Sequence, residues 1–301
     1  EKAYFIIDFR YIEKARKTVT ACEVILQDEL YEQINELIEK HGAKTVAVNA
    51  DTCTLSELIA YQQKLNAEVI ADTKLAKIIT EIRTVKSQDQ IDKMIKAQRI
   101  AEKGFAHMLD FIKVGRTEKE IQLELDYYML KNGAEALSFD TIALSGANTS
   151  LPHGVPSDKK VESGEFVLMD FGATYDGWHS DMTRTVCVGK PSDKMKSVYE
   201  TVLTAQLTAL DAVKAGMSGK ALDKIARDII TDAGYGDNFG HSLGHGVGVE
   251  IHESPYASPS REDILPENSI VTIEPGIYLE GKFGVRIEDF VVVTENGCIN
   301  M

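Results

Sequence analysis

The residues best able to do chemistry are two aspartates placed around a predicted β-hairpin. The stretch 161–188 reads VESGEFVLMDFGATYDGWHSDMTRTVCV, and Asp170 ends an apolar run within it. Asp176-Gly177 is a strong signal for a two-residue hairpin loop. Counting back from that loop pairs Gly172 with Asp181, so both aspartates fall on one sheet face as diagonal neighbours. Two carboxylates this close repel unless a cation or a shared proton holds them, and the alternative is a surface-facing acid pair.

The same arrangement occurs again later in the chain. A shift of about 104 residues lays Asp170 on Glu274, and a turn around Glu280-Gly281-Lys282 would place Glu288 opposite Glu274. Upstream, KVGRTEKEIQLELDYYMLKNG and KAGMSGKALDKIARDIITDAG share lysines, a Thr/Ser cap and a final glycine at an offset of 101. We therefore predict two homologous halves, each of which supplies one acidic hairpin to a shared centre.

Histidines accompany these hairpins in segments that are unlikely to be helical. His153 stands between a proline and a glycine, which excludes a regular helix or a central strand, and taken alone it is a loop residue without a role. The segment NFGHSLGHGVGVEIHESP carries His241, His245 and His252. Its glycines disfavour a helix and predict an extended, bent backbone that another group approaches closely. A single buried histidine is usually structural, but three in this segment favour metal ligands and proton carriers.

The convergent groups predict a metal centre. Four carboxylates (Asp170, Asp181, Glu274 and Glu288) carry about four negative charges, which cannot be buried without compensation. Two divalent cations would neutralise them, and an oxygen-rich set with one imidazole suits Mn²⁺ or Co²⁺, with Zn²⁺ also acceptable. Such a pair would hold a water, lower its pKa and orient it for attack on a carbonyl. Arg286 shares strand parity with Glu288, so it would buttress the ligands, hold a substrate carboxylate or pair with a neighbouring acid.

The elements that must position these groups fall into two regions. Residues 1–84 alternate strands (5–7, 24–26, 45–48 and 68–70) with helices (28–41 and 54–65), which predicts a small α/β unit. A capping box of Ser87 with Gln90 begins a long helix after a boundary near 84–87, and Thr117 with Glu120 caps the next. Helices predicted at 193–214 and 218–233 repeat this pair.

Composition limits the class of protein. The chain has 301 residues, 44% of them hydrophobic, and a formal net charge of −14, which argues against a nucleic-acid partner. Four separated cysteines suggest neither a disulfide framework nor a thiolate metal site, and favour a reducing compartment. No apolar run approaches the ~20 residues of a membrane span. Because the chain lacks an initial Met and opens almost directly in a strand, we expect it to be incomplete there, and a few residues to be missing after Met301.

These motifs together resemble the pita-bread metallopeptidases, which include methionine aminopeptidase, aminopeptidase P, prolidase and creatinase. The resemblance rests on the aspartates eleven apart, GHGVG, IHESP, TIEPGIY and VRIED, and it covers residues 85–301. Residues 1–84 resemble the accessory domain of the proline-specific branch. The implied fold is α+β, a pita-bread catalytic domain (85–301) with an internal two-fold duplication, preceded by a small α/β N-terminal domain (1–84).

The resemblance also implies roles for individual residues. The implied metal ligands are Asp170, Asp181, His245, Glu274 and Glu288. Glu274 matches the proton-shuttling glutamate of the family, and His252 and His153 match histidines that contact the substrate and stabilise the tetrahedral intermediate. His241 and Arg286 match substrate-binding groups of the proline-specific branch, and Tyr278 is a weaker candidate of this kind.

The implied function is hydrolysis of the bond preceding proline, at a peptide's N-terminus or in an Xaa-Pro dipeptide, by a hydroxide bridging two divalent metals. We expect a cytoplasmic, Mn²⁺-dependent homodimer whose partner is a peptide, with no nucleic acid and no membrane involved. A methionine aminopeptidase is less favoured, because such enzymes usually lack the accessory domain. A metal-free creatinase-like hydrolase and a non-catalytic peptide-binding homologue would not be expected to keep five ligands.

Overall fold

The chain divides into two units that are described separately. A computed structural model describes residues 2–301. The first unit ends at Thr80 and the second comprises Glu81–Met301. Among the described residues, no helix has both the length and the apolar character that crossing a bilayer requires.

The first unit alternates strands and helices as predicted. Its elements are β1 (Tyr4–Ile7), α1 (Ile12–Thr18), β2 (Glu23–Leu26), α2 (Leu30–His41), β3 (Thr45–Ala47), α3 (Leu55–Lys64), β4 (Glu68–Ile70) and the start of α4 (Thr73–Thr84). The strands form two parallel pairs, β1 with β2 and β3 with β4. A capping box of Thr54 with Glu57 begins α3. The short helix α1 and the helix α4 were not predicted.

The second unit holds the remaining elements. Its helices are α5 (Gln88–Phe111), α6 (Glu118–Lys131), α7 (Asp193–Ala212) and α8 (Gly219–Asp232), with 3₁₀ turns at Gly146–Ser150 and Gly236–Asn238. The strands of its first half are β5 (Ala136–Leu137), β6 (Ile142–Ser145), β7 (Glu165–Phe171), β8 (Ala173–Tyr175), β9 (Trp178–His179) and β10 (Met182–Val188). Those of its second half are β11 (Gly244–Gly246), β12 (Glu253–Ala257), β13 (Ile270–Ile273), β14 (Gly276–Leu279), β15 (Phe283–Arg286), β16 (Asp289–Thr294) and β17 (Gly297–Asn300).

The predicted duplication is present in this element order and in matching backbone contacts. Helices α6 and α8 begin and end 101 residues apart, and each is preceded by a hydroxyl N-cap, Thr117 or Ser218. The amide of Val161 donates to the carbonyl of Arg116 at 2.8 Å, and that of Leu265 donates to the carbonyl of Met217 at 2.9 Å. In both halves, the same contact therefore joins the loop before the helix to the segment that leads into the strand.

The first hairpin has the predicted turn and register. Asp176 and Gly177 both have positive φ, at 48° and 76°, as a two-residue turn between right-twisted strands requires. Tyr175 pairs with Trp178, and Phe171 pairs with Met182. The pairs on both sides of Gly172 and Asp181 thus keep the register that places Asp170 and Asp181 on one face.

The second hairpin also has the predicted register. Leu279 pairs with Phe283 across the predicted turn, and Gly276 pairs with Arg286. Beyond the acidic positions, Ile273 pairs with Asp289. Glu274 and Glu288 therefore stand opposite each other between two ladders in continuous register.

Each half buries its helices against its own sheet. One apolar cluster joins α5 and α6 to β7, with Leu125, Met129 and Met169 fully buried. A corresponding cluster joins α7 and α8 to β13–β16. Burial of these faces is the main favourable contribution to folding, and the acidic positions lie at or next to the strand ends, outside both clusters.

Candidate active site

The structure brings together carboxylates from both hairpins with one histidine. Possible ligand atoms of Asp181, His245 and Glu288 all lie within 4.8 Å of one another. The Nε2 atom of His245 is 3.5 Å from an oxygen of Asp181 and 3.4 Å from an oxygen of Glu274. The predicted convergence of the two halves on one histidine is therefore present in the geometry.

His245 is held in the form that binds metals. Its Nδ1 lies 3.0 Å from the carbonyl oxygen of Gly246, so Nδ1 carries the proton and Nε2 faces the carboxylates with a free lone pair. Burial lowers the pKa of His245 to about 4, which keeps the imidazole neutral at pH 7. A neutral imidazole directed at carboxylates is a competent metal ligand.

The carboxylates cannot all be ionised together without a counter-charge. Burial, followed by the neighbouring Glu288, Asp170 and Glu274, raises the pKa of Asp181 well above its usual range. Burial likewise raises the pKa of Glu274 to about 8, and burial with the charge of Glu274 raises that of Glu288. Cations bound among these groups would stabilise their ionised forms.

An unsatisfied oxygen marks where such a cation would bind. One carboxylate oxygen of Asp170, Oδ2, accepts a hydrogen bond from Arg286 at 2.6 Å. The other, Oδ1, is buried, and none of the residues 2–301 supplies it with a hydrogen bond. A buried oxygen of this kind is costly unless something binds it. The oxygen-rich donor set with one imidazole therefore fits divalent metal ions.

Arg286 is fully engaged by the protein. Its guanidinium donates to Thr183 Oγ1 at 3.0 Å, to Tyr278 Oη at 2.9 Å, and to Asp170 at 2.6 Å. The side chain is only 3% exposed. Of the alternatives raised from the sequence, the ion pair with a neighbouring acid is present, and it holds a predicted ligand in place.

Tyr278 joins Arg286 to His241. The Nδ1 atom of His241 donates to the carbonyl oxygen of Ser242 at 2.8 Å, so Nε2 accepts a hydrogen bond from the hydroxyl of Tyr278 at 2.9 Å. Burial lowers the pKa of His241 to about 4 and raises that of Tyr278 to about 12. Tyr278 and Arg286 are both buried, but Arg286 lines the cavity together with His241 and Tyr278 does not.

A cavity of about 480 Å³ opens over these groups. His153 and His252 line it, as do the predicted ligands. The ring of His252 lies 4.4 Å from that of His245. Apolar and aromatic side chains complete the wall: Phe139, Ile142, Pro152, Ile251 and Tyr256. All the predicted site residues except Tyr278 therefore line one cavity.

The glycine-rich segment is extended at Gly244–Gly246, and backbone approaches the two glycines of this strand. A Cβ on Gly244 would lie 1.8 Å from the carbonyl oxygen of Thr272, and one on Gly246 would lie 2.4 Å from that of Ser254. The glycines thus allow the strand that carries His245 to pack directly on its neighbours.

Several supporting residues were not identified from the sequence. Thr183 donates to Glu288 at 2.7 Å, and Thr272 donates to Glu274 at 3.1 Å while accepting from the amide of His245 at 2.9 Å. Arg184 donates to the carbonyl of Glu288 and pairs with Asp289 at 2.6 Å. The position of each threonine two residues from a predicted ligand, on the same strand face, was the available signal.

Comparison with known proteins agrees with this geometry. Metallopeptidase family M24 matches residues 92–295, and the creatinase/prolidase N-terminal domain matches residues 1–85. An Xaa-Pro dipeptidase from Pyrococcus furiosus is 42% identical over 91% of this chain and 77% of that protein. Two solved structures superpose on the whole chain at 42% identity. They are an Xaa-Pro dipeptidase from Bacillus anthracis (TM-score 0.95, 84% of that chain) and an X-Pro aminopeptidase from Thermotoga maritima (TM-score 0.93, 85% of that chain).

The family match spans more than half of the chain, and the relatives are similar over most of their own length. Both predicted regions, the accessory α/β domain and the pita-bread domain, have counterparts in these comparisons. The chain belongs to metallopeptidase family M24.

Proposed function

We propose that this protein is a metal-dependent exopeptidase that hydrolyses the peptide bond preceding proline. The observation that carries the proposal is the meeting of Asp181, His245 and Glu288 within 4.8 Å, beside the buried Glu274, at the floor of a cavity. The similarity to proteins named Xaa-Pro dipeptidase and X-Pro aminopeptidase supports the substrate class.

The proposed ligands of two divalent cations are Asp170, Asp181, His245, Glu274 and Glu288. Oxygen donors with one imidazole favour Mn²⁺, with Co²⁺ or Zn²⁺ as alternatives. When bound, the cations would supply a water of lowered pKa and polarise the scissile carbonyl. The unsatisfied Oδ1 of Asp170 and the raised pKa values of Asp181, Glu274 and Glu288 support this assignment.

The protein's own groups would orient the substrate and move the proton. The water oxygen would first bond to the carbonyl carbon to give a tetrahedral intermediate, and the bond to the proline nitrogen would then break as that nitrogen takes up a proton. Glu274 would accept a proton from the water and pass it to that nitrogen. His252 and His153 would stabilise the developing oxyanion. His241 and Arg286, supported by Tyr278, would line the substrate side of the cavity.

The apolar wall suits a proline ring, which has no amide N–H for a protein to recognise. Phe139, Ile142, Pro152 and Tyr256 offer contact area, so recognition would depend on shape. A dipeptidase and an aminopeptidase would share this wall, and the relatives named for each are equally similar. A methionine aminopeptidase activity is less well supported, because the chain also matches a creatinase/prolidase N-terminal domain.

We further propose that residues 1–84 form the accessory domain and 85–301 the catalytic domain, in a cytoplasmic homodimer. The division of the chain after Thr80 and the two family matches support the boundary. The free cysteines Cys22, Cys53, Cys187 and Cys298 support a reducing compartment. The homodimer rests on the family resemblance.

A substrate panel tests the proposed activity. The metal-loaded protein is incubated with an Xaa-Pro dipeptide, an Xaa-Pro-Yaa tripeptide and a Met-Ala peptide, each with Mn²⁺, Co²⁺ or Zn²⁺. We expect cleavage before proline, its loss with a chelator and its return with metal. Cleavage of the dipeptide alone indicates a dipeptidase, and cleavage of the tripeptide an aminopeptidase. Cleavage of Met-Ala without cleavage of either proline peptide would overturn the assignment.

A further inference from the structure

A second buried charge pair lies outside the carboxylate centre. The ammonium of Lys86 pairs with the carboxylate of Glu253, and their side chains are 0% and 8% exposed. These residues are 167 positions apart in the chain. Lys86 immediately precedes Ser87, the N-cap of α5, and Glu253 immediately follows His252.

Lys86 is held in place through both its side-chain ammonium and its backbone amide. Its ammonium also donates to the carbonyl oxygens of Arg83 at 2.7 Å and Thr84 at 3.3 Å. Its backbone amide donates to the carbonyl of Asn268 at 2.9 Å. Lys86 is therefore a rigid point at the end of the segment 83–86, and Glu253 is bound to that point.

The carboxylate of Glu253 organises the turn that carries His252. A Cβ added to Gly248 would lie 2.4 Å from Glu253 Oε1, so the carboxylate packs against the backbone at the start of the turn. The amide of Glu250 lies 3.5 Å from the other oxygen of Glu253. Residues 248–253, here called the His252 turn, thus fold around this side chain.

An exposed ion pair parallels the buried one. Arg83 lies 3.6 Å from Glu250, and both side chains are largely exposed. Segment 83–86 therefore meets the His252 turn through two pairs, only one of which is shielded from water. The exposed pair contributes little because water and salt screen it, so of the two pairs the buried one provides most of the constraint.

Stability alone gives a weak reason for a buried ion pair at this place. Replacing such a pair with apolar residues of similar volume is often neutral or stabilising, because both charges lose their hydration on burial. In some proteins a buried charged pair with hydrogen bonds instead fixes one geometry that apolar contact would leave loose. The restricted element here carries a histidine that lines the cavity, 4.4 Å from the ring of His245.

We propose that Lys86 and Glu253 are positioning residues, whose ion pair fixes the His252 turn and thereby the orientation of His252 toward the substrate. The catalytic part of this inference rests on the proposed function. The structural part, the order of the turn, does not.

The test compares Glu253→Gln with the charge-free pair Lys86→Met/Glu253→Gln, each made in the wild-type and His252→Ala backgrounds. Because the double variant leaves no unpaired buried charge, it is expected to fold even where Glu253→Gln does not. Lys224→Met, which removes an exposed ion pair with Asp228, is the matched control. Bound metal is quantified in every sample, so that loss of cations is distinguished from loss of orientation.

In the wild-type background we expect Glu253→Gln and Lys86→Met/Glu253→Gln each to lower kcat on an Xaa-Pro peptide at least tenfold. KM should change less than threefold, and metal content should not change. In the His252→Ala background the same substitutions should lower kcat by less than twofold, because the side chain that Lys86 and Glu253 position is absent. Equal losses in both backgrounds, or an unchanged kcat in a folded variant, would overturn the inference.

Hydrogen exchange provides a readout that does not depend on turnover. Amides of residues 248–253 should exchange at least tenfold faster in Lys86→Met/Glu253→Gln, while those of β14 and β15 keep their wild-type rates. Unchanged exchange in the turn would overturn its positioning by the pair, even if the enzyme is inactive. Failure of wild-type protein to cleave any Xaa-Pro peptide, with faster exchange in the variant, would instead count against the proposed function alone.

Discussion

At the scale of single residues, the site is a balance between buried negative charge and the groups that oppose it. Arg286 opposes part of that charge through its 2.6 Å contact with Asp170. His245 contributes none, because burial keeps it neutral. The remaining carboxylates must therefore hold protons or cations, and protons and cations compete for the same oxygens.

This competition predicts a pH dependence of the metal-free protein. The pKa of Glu274 is about 8 in the folded protein and 4.5 in a model compound, so only the folded form holds this proton at intermediate pH. Loss of this one proton should lower the free energy of unfolding of the metal-free protein by about 2 kcal/mol between pH 6.5 and 8. His241 and His245, with pKa values lowered from 6.5 to about 4, have the opposite effect. Because an unfolded imidazole is still half protonated at pH 6.5, the two together offset about 1 kcal/mol of this fall before their contribution is complete near pH 7.5.

Denaturant unfolding at a series of pH values, with and without Mn²⁺, measures this effect. The stabilisation by Mn²⁺ should grow as pH rises, because the ion displaces the proton. Glu274→Gln should flatten the slope of the metal-free protein. A metal-free stability that rises from pH 6.5 to 8 would contradict the raised pKa.

Tyr278 supplies a second prediction at this scale. Tyr278→Phe keeps the ring but removes the hydroxyl that bonds both His241 and Arg286. Because two buried polar groups lose a partner, the free energy of unfolding should fall by about 1–3 kcal/mol. Tyr127→Phe, at a side chain that is 62% exposed, should change it by less than about 0.5 kcal/mol. Equal changes in the free energy of unfolding would contradict a stabilising role for the hydrogen bonds of the Tyr278 hydroxyl.

At the scale of elements, the hairpins were predictable because their information is local. A two-residue turn at Asp176 and Gly177 fixes the register of both its strands, and the acidic positions follow by counting. The capping boxes at Ser87 and Thr117 were readable for the same reason. Helix α1 has only seven residues, too few for a clear periodic pattern.

Other features depend on contacts that are distant in the chain. Exposed Ile78 and Ile82 obscure the apolar face of α4, which was missed. Lys86 and Glu253 are 167 residues apart in the chain, so no local sequence pattern predicts that they pair. The sequence likewise left open which groups accept the hydrogen bonds of Arg286, because those partners lie far from it in the chain. The sequence thus predicted where the candidate site residues lie, but predicted less well which contacts hold them in place.

The glycine-rich strand gives a prediction at this scale. Gly244→Ala would bring a Cβ to 1.8 Å from the carbonyl oxygen of Thr272, so β11 or β13 must shift. We expect Tm to fall by about 3–10 °C and activity to fall with it, since His245 lies on β11. Gly240→Ala, in the same segment but with nothing within 4 Å, should change Tm by less than about 2 °C. Thermal unfolding of both variants checks this, and a tolerated Gly244→Ala would contradict the packing described.

At the scale of the whole molecule, duplication explains why the site lies where it does. Each half has its own helix pair and apolar cluster, and each ends in a hairpin with acids at its strand ends. Neither half alone holds the set, because Asp170 and Asp181 come from one and His245, Glu274 and Glu288 from the other. A bound cation would therefore join the halves as well as serve the chemistry.

This arrangement predicts that metal protects both hairpins together. At a free concentration one hundred times Kd, a ligand that binds only the folded state stabilises it by about 2.7 kcal/mol. Amides of β7 and β10 in one half, and of β13 and β16 in the other, should gain hydrogen-exchange protection in parallel when Mn²⁺ is added. Protection confined to one half would contradict a site shared between them.

The most direct test of the central claim measures bound metal and turnover on the same samples. We expect about two divalent ions per chain in the wild type and loss of Xaa-Pro hydrolysis by at least about a thousandfold in Asp181→Ala, together with loss of metal. Lys224→Met, at an exposed ion pair, should keep both. Full activity in an Asp181→Ala protein without bound metal would contradict the claim that paired carboxylates from the two halves hold the ions that drive the reaction.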